Sequence, residues 1–141
     1  MSVPVQVRRV AATQATLDRF LGKTYKLSTV DCGRVVGFHL RKLGRKVEIP
    51  KIGAYSTPAG ALMWLKRRGF DTLEGYFDGL GMLPIAPAEV LIGDLLTLQS
   101  PDVLSAPVIY VGDGRYLGFH EDSDRAELLK PTAFERAWRT I

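Results

Sequence analysis

The pattern of hydrophobic and polar residues changes near Gly93. Before this point apolar residues recur every three to four positions, which is typical of amphipathic helices. After it, short apolar runs alternate with turn residues, which is typical of β-strands. Helices followed by strands predict an α+β fold, with N-terminal helices packed on a C-terminal antiparallel β-sheet. No repeat or long linker divides residues 1–141, so a single domain is predicted.

Capping residues predict where the four helices begin. Asp31, Thr57 and Asp71 are good N-caps for the second, third and fourth helices. Glycines that follow the second and third apolar patterns end those two helices. The predicted ranges are 13–21, 31–43, 57–69 and 71–80. The apolar face of the second helix contains Cys32, Val35, Val36, Leu40 and Leu43.

Three strands and a hairpin are predicted after Gly93. The strands span 94–98, 107–111 and 116–120, with a further short strand at 127–129 and a helical piece at 131–138. The turn Gly112-Asp113-Gly114 predicts a hairpin between the second and third strands. A three-residue turn places His120 opposite Ala106, whereas a two-residue turn places it opposite Pro107. Both registers are compatible with the sequence.

Composition and charge restrict the class of protein. A single cysteine excludes an internal disulfide framework, and two histidines argue against a structural zinc site. No run approaches the ~20 apolar residues of a membrane span. In a signal peptide positive charges precede the apolar stretch, whereas here the first charged residues follow the first apolar ones. The protein is therefore expected to be made without a signal peptide for export.

The net charge of +4 comes largely from three short basic runs. Such runs are usually the solvated face of a helix, although they also fit an anionic polymer. Aromatic residues do not alternate with them, which argues against nucleic acid as the partner. The runs are Arg8-Arg9, Arg41-Lys42 with Arg45-Lys46, and Lys66-Arg67-Arg68.

Cys32 is the residue with the clearest chemical potential. It follows the predicted N-cap Asp31, where unpaired backbone N–H groups and the helix dipole favour a thiolate. The alternative is a small apolar residue on a helix face. His39 lies about 10 Å further along the same helix, too far for contact, and is interpreted as structural or surface-exposed. His120 is the other imidazole that could act as a base.

Several motifs, taken in order, resemble the NlpC-type cell-wall cysteine peptidases, which are papain-like domains. The resemblance implies that Cys32 is the nucleophile, and that Tyr25 and Asp31 lie at the substrate. For Tyr25 the alternative is a half-buried aromatic residue without such a role. No cofactor and no metal are expected. The motifs are Gly22-Lys23-Thr24-Tyr25, Asp31-Cys32-Gly33, Gly93-Asp94-Leu95-Leu96 and Val108-Ile109-Tyr110-Val111-Gly112-Asp113-Gly114.

The sequence departs from the peptidase pattern at two positions. By the resemblance, the catalytic histidine falls at Ala106 and the residue that orients it falls at about Gly118. Neither side chain can transfer a proton, so the usual activation of the cysteine is lost. His120 lies two residues beyond Gly118, on the same face of the strand, and is the candidate substitute base.

Two further motifs, Gly118-Phe119-His120 and Ala137-Trp138-Arg139, resemble a domain from phage and prophage tail gene clusters and gene transfer agents. This resemblance implies a virion protein at the tail tip, made in the host cytoplasm, with distal tail and hub proteins as partners.

Three hypotheses follow. The protein is a degenerate papain-like tail component, or a peptidase or amidase acting on peptidoglycan stem peptides through Cys32 and His120, or a basic module that binds an anionic polymer. An acidic loop, formed by Glu121, Asp122 and Asp124, could also hold a cation, although it lacks the spacing of a calcium loop and is interpreted as a solvated turn.

Overall fold

The structure is a computed structural model that describes residues 3–27, 29–120 and 123–141. Four helices come first, followed by the strands of one sheet. The helices are α1 Val5–Phe20, α2 Cys32–Lys42, α3 Pro58–Lys66 and α4 Leu73–Gly79. The strands are β1 Leu83–Ile85, β2 Leu95–Leu98, β3 Ala106–Gly112, β4 Arg115–Phe119, β5 Ala126–Leu129 and β6 Arg136–Arg139, with a short 3-10 helix at Pro87–Glu89.

The strands form an antiparallel sheet in the order β1-β6-β2-β3-β4-β5. The β3–β4 hairpin pairs Ile109 with Leu117 and Tyr110 with Tyr116, and a bulge follows at the turn. Asp113 in this turn has a φ of 55°, a conformation that its short polar side chain tolerates. Gly112 pairs with Arg115, so two residues form the turn itself, and the bulge then shifts the strands into the register expected for the three-residue turn, which places position 120 opposite Ala106.

The sheet separates two apolar clusters. One face packs against the helices and includes Leu95, Ile109, Leu117 and Trp138. The opposite face carries a smaller cluster, built on Leu96, Val108, Tyr116 and Ala137. Successive residues of a strand point to opposite faces, and both faces of the central strands are buried. The sequence accordingly reads there as continuous apolar runs.

Helix α2 forms as predicted. The Asp31 carboxylate accepts a hydrogen bond from the backbone N–H of Arg34 at 3.0 Å, which caps the helix. Val35, Val36 and Leu40 are buried against the sheet, and Leu43 follows them at the C-cap. The predicted apolar face is confirmed at these four positions.

Helix α1 begins eight residues earlier than the predicted range. Its buried face includes the polar residues Arg9, Thr13 and Thr16, while Val7 and Val10 are exposed. The spacing of apolar residues in α1 therefore does not identify the face of this helix that packs against the rest of the protein. This inversion explains why the first turns of the helix were not predicted.

The buried polar face of α1 meets a second polar group at Asp94, which is fully buried. Its carboxylate accepts hydrogen bonds from Arg9 at 2.9 Å, from Arg139 at 2.8 Å and from the backbone N–H of Thr140 at 3.0 Å. It also accepts the backbone N–H of Leu91. We call these residues the Asp94 cluster. It joins the first helix, the start of β2 and the end of the chain.

His39 extends the Asp94 cluster into α2. Its Nε2 lies 2.9 Å from the Gly93 carbonyl, and its Nδ1 lies 2.9 Å from the Thr16 hydroxyl. A carbonyl accepts only, so Nε2 carries the proton. Burial lowers the pKa of His39 to about 4, which keeps the ring neutral. His39 is a structural histidine.

The C-terminal segment was predicted wrongly as helical. Residues 136–139 form strand β6, which pairs with β2 and β1 through contacts distant in sequence. The short strand β1 was also not predicted, because it contains Pro84, which only an edge strand accommodates readily. Thr72, not Asp71, caps α4 by accepting the Gly75 N–H.

Candidate active site

A cleft of about 1080 Å³ opens beside the N-terminus of α2. The four candidate site residues line it together, as do Ala106 and most of the loop from Gln99 to Ser105. Three of the candidates, Tyr25, Asp31 and Cys32, lie close together in sequence, and the fourth, His120, is distant from them. The fold thus brings them to one surface, and their catalytic and substrate-binding roles stay predictions.

Cys32 is the first residue of α2 and is partly exposed. The pKa of its thiol is raised to about 12, first by burial of the sulfur and then by the charge of Asp31. The backbone N–H groups of Cys32 and Gly33 act in the opposite direction, as expected at a helix N-terminus. Desolvation and the neighbouring carboxylate outweigh them, so the thiol is protonated at neutral pH.

The Asp31 carboxylate is occupied by groups of this chain. It accepts the Arg34 N–H, the Arg34 guanidinium at 3.0 Å and the Tyr55 hydroxyl at 2.9 Å. Asp31 is only 2% exposed. We call Asp31, Arg34 and Tyr55 the Asp31 cluster. Its carboxylate orients the cleft wall, and a ligand would have to displace internal partners to reach it.

Arg34 ties the α2–α3 connection to this wall. Its second guanidinium nitrogen donates to the carbonyls of Pro50 at 2.8 Å and Lys51 at 2.6 Å. A side chain at Gly37 would meet Ile49 at 2.6 Å, so the connection lies directly against α2. Tyr55 and this contact were not predicted, because nothing in the local sequence of a loop signals such tertiary hydrogen bonds.

Tyr25 and Phe119 form another wall of the cleft. Their rings pack edge to face with centroids 5.2 Å apart. The segment before Tyr25 attaches to the edge of the sheet through the bridge between Thr24 and Arg125. Burial, together with the charges of Cys32, Asp31 and Asp102, raises the pKa of Tyr25 to about 12. Tyr25 is therefore neutral and still 39% exposed.

His120 follows the last residue of β4 and is exposed at the cleft. Ala106 is the first residue of β3, the strand next to β4. It is the position at which the resemblance places the catalytic histidine. Glu121 and Asp122 of the predicted acidic loop lie outside the described residues. Within the three described ranges, no group of three or more histidine, cysteine or acidic side chains could hold a metal ion.

Gly118 is packed too tightly to carry a side chain. A Cβ atom placed there would lie 2.6 Å from Cγ1 of Val108 and 3.3 Å from Cδ1 of Leu129. Real Cβ atoms do not approach heavy atoms as closely as the first of these distances. Val108 therefore occupies the space that a side chain at position 118 would need.

The basic runs are partly used inside the protein. Five of their arginines bond to carbonyl or carboxylate groups of this chain, namely Arg8, Arg9, Arg41, Arg45 and Arg68. Arg68 also stacks on the Trp64 ring, with its guanidinium carbon 3.5 Å from the ring centroid. These contacts favour the interpretation of the runs as structural and solvated faces.

The chain is similar to known proteins at two levels. A family model described as "Domain of unknown function (DUF6950)" matches residues 7–140. No curated protein matches. Across the described residues, every helix is too short or too polar to traverse a lipid bilayer.

Two solved structures share the fold. NlpC2 from Trichomonas vaginalis is 13% identical with a TM-score of 0.60, and the match covers 94% of this chain and 47% of that one. NlpC1 from the same organism is 14% identical with a TM-score of 0.59, and the match covers 93% and 43%. The chain spans slightly less than half the length of these proteins. Its fold is an NlpC-like α+β fold.

Proposed function

The chain belongs to the DUF6950 family, and we propose that it is a phage tail-tip component whose NlpC-like domain does not hydrolyse peptide bonds. The sequence motifs around Gly118 and Trp138, which resemble a tail-cluster domain, support the location in the virion. In this proposal the protein is made in the host cytoplasm and binds distal tail or hub proteins. The domain would serve there as a folded module with a cleft.

The observation that carries the proposed lack of activity is Ala106, which lines the same cleft as Cys32 and has no side chain that could transfer a proton. Loss of a histidine at position 106 removes a base, and that alone could be reversed by one substitution. At position 118, where the resemblance places the orienting residue, the Val108 side chain also occupies the space that a side chain would need. A nucleophile without its base and orienting group loses most of its activation.

The state of the thiol gives further support. A thiol with a pKa of about 12 is almost entirely protonated at pH 7, and the thiol form is a poor nucleophile. Because the chain has one cysteine, alkylation reports on Cys32 alone. Iodoacetamide should label it more than tenfold more slowly than free cysteine at pH 7, and the rate should rise steadily as the pH is raised. Labelling as fast as free cysteine would contradict the proposal.

Hydrolysis can be tested directly with peptidoglycan stem peptides. The purified protein and its Cys32→Ala variant are incubated with muropeptides, and the products are separated by mass spectrometry. We expect identical, uncleaved profiles. Cleavage by the wild type that is absent from the variant would reject the non-hydrolytic assignment.

The location in a tail needs a separate experiment. Particles from an induced lysogen that carries a tagged copy of the gene are purified on a density gradient, and the tagged protein is quantified by immunoblot. We expect it to remain with the particles and to cross-link to distal tail proteins. Recovery only in the free-protein fractions would contradict a virion role.

An active peptidase or amidase is the second candidate. It is favoured by one observation, namely that Cys32 and His120 line the same cleft and that His120 follows β4 opposite Ala106. In this case His120 acts as the base, and His120→Ala should abolish any cleavage that also depends on Cys32. Cleavage that survives in His120→Ala would exclude this assignment of the base.

A further inference from the structure

The carboxylates that line the cleft differ in how they are neutralised. Asp31 is paired with Arg34, and Glu48 is paired with Arg68. Asp102, in the loop between β2 and β3, forms no ion pair with any residue in the described ranges. Its backbone N–H donates to the Ser100 hydroxyl, which fixes the loop and leaves the carboxylate available.

The charge of Asp102 acts on the Cys32 end of the cleft. It contributes to the raised pKa of both Cys32 and Tyr25, so its field reaches the thiol and the phenol. Lys130 also lines the cleft. The carboxylates whose charges raise the pKa of both Cys32 and Tyr25 are those of Asp31 and Asp102. Asp31 is paired with Arg34, so Asp102 is the carboxylate at this end of the cleft that a cationic side chain could approach without displacing an internal partner.

Apolar and aromatic residues form part of the lining of the cleft that contains Asp102. Pro101, Leu104 and Pro107 line it together with the polar residues Gln99, Ser100 and Ser105, and so does the Tyr25–Phe119 pair. Such surfaces suit the alkyl stem of a long side chain, and aromatic rings attract its cationic head. A cleft of about 1080 Å³ has room for several residues of an extended segment.

We propose that this cleft receives an extended segment of a partner protein and places a lysine or arginine side chain against Asp102 and the Tyr25–Phe119 wall. The inference rests on the proposed function, since a segment that remains bound must not be cleaved. The partner is recognised by one positive charge on an otherwise apolar segment. A single exposed ion pair contributes about a two- to fivefold change in affinity, and the apolar contacts supply the rest.

The test uses three fluorescent pentapeptides with capped ends and alanine or valine flanks, differing only in a central lysine, norleucine or glutamate. Binding to the full chain is measured by fluorescence anisotropy. We expect the lysine peptide to bind two- to fivefold more tightly than norleucine and the glutamate peptide to bind least tightly. Equal affinity for the three peptides would overturn the inference.

Two variants assign the preference to Asp102. In Asp102→Asn the lysine and norleucine peptides should bind equally, and in Asp102→Lys the glutamate peptide should bind best. Asp71→Asn, an exposed carboxylate outside the cleft, is the matched control and should keep the lysine preference. A lysine preference that persists in Asp102→Asn would overturn the inference.

Two further readouts separate the possible failures. An uncapped peptide without lysine that binds more tightly than the capped lysine peptide would overturn the inference, because the cleft would then select a terminal amine. Mass spectrometry of the recovered peptides reports cleavage. Cleavage would reject the non-hydrolytic function, while the dependence of binding on Asp102 would still be read from the Cys32→Ala variant.

Discussion

The Asp94 cluster and the Asp31 cluster use similar groups for different purposes. Each contains a buried aspartate that bonds to an arginine side chain and to at least one backbone N–H group. The partners of Asp94 include Arg9 and Thr140, which lie 85 and 46 residues away. The partners of Asp31 include Arg34 and Tyr55, which lie 3 and 24 residues away.

This difference in sequence distance indicates that the Asp94 cluster stabilises the whole fold, whereas the Asp31 cluster determines the local geometry of the cleft. The Asp94 cluster joins the two ends of the chain, so losing it affects the whole protein. The Asp31 cluster fixes a helix start and a loop at the edge of the cleft, so losing it should affect local geometry and the adjacent thiol. Substitutions in the two clusters can therefore be compared directly.

Replacing Asp94 by asparagine should have the largest effect. The change leaves Arg9, which is 3% exposed, without its counter-charge, and breaking a buried pair in this way costs about 3 to 5 kcal/mol. Urea denaturation at pH 7 measures the loss. Asp78→Asn is the matched control, because Asp78 pairs with Arg136 at the surface and should cost about 1 kcal/mol or less. Equal losses in the two variants would refute the assigned role of Asp94.

Acidification should test the same cluster through His39. The pKa of His39 is lowered to about 4 in the folded protein from 6.5, so the unfolded chain binds the proton more readily between these values. Stability due to the neutral ring is complete above pH 6.5 and is lost as the pH falls towards 4. We expect a loss of about 2 kcal/mol between pH 7.5 and pH 5.

The control for this pH dependence is a pair of glutamine variants. His39→Gln should be less stable at pH 7.5 and should show a flatter pH profile, since the titrating ring is gone. His120→Gln, at an exposed position, should keep the wild-type profile. A His39→Gln profile as steep as that of the wild type would assign the effect to other groups.

Asp31→Asn should cost less, about 1 to 2 kcal/mol. Asparagine is as good an N-cap as aspartate, and Arg34 keeps its bonds to the Pro50 and Lys51 carbonyls. The variant also removes a charge that raises the pKa of Cys32, so iodoacetamide should label the thiol several times faster at pH 8. An unchanged labelling rate would show that Asp31 does not act on the sulfur.

The smallest effect is expected at Thr97, which belongs to neither cluster. Its buried hydroxyl has no hydrogen-bond partner among the residues that the structure describes. Thr97→Val should therefore stabilise the protein by up to about 1 kcal/mol. The same change at Thr140, whose hydroxyl donates to the Gly93 carbonyl at 2.9 Å, should destabilise by about 1 to 2 kcal/mol. Thermal unfolding of both variants gives the comparison, and destabilisation by Thr97→Val would contradict it.

The sequence predicted those parts of the fold that local signals determine. The α+β class, the capped helix α2 and the β3–β4 hairpin depend on caps, apolar spacing and turn glycines, and all three are confirmed. Strand β6 depends on pairing with β2 and β1, which no local pattern encodes. The start of α1 was missed because its packed face is polar and bonds to Asp94.

The candidate site was predictable only where a motif marks it. Cys32, Asp31, Tyr25 and His120 were selected from motifs or residue chemistry, and the fold places all four at one cleft. Tyr55 and Asp102 lie in loops whose sequences carry no motif. Their positions depend on how the loops fold back on α2 and the sheet, which requires the tertiary structure.

The contact between Val108 and Gly118 also constrains how a larger side chain could be introduced at position 118. A side chain introduced first at position 118 collides with a branched neighbour and destabilises the fold before it brings any benefit. Shortening Val108 first opens a small hole in the second apolar cluster and costs stability as well. Either substitution made alone therefore lowers stability, and a side chain at position 118 is best accommodated when position 108 is shortened as well.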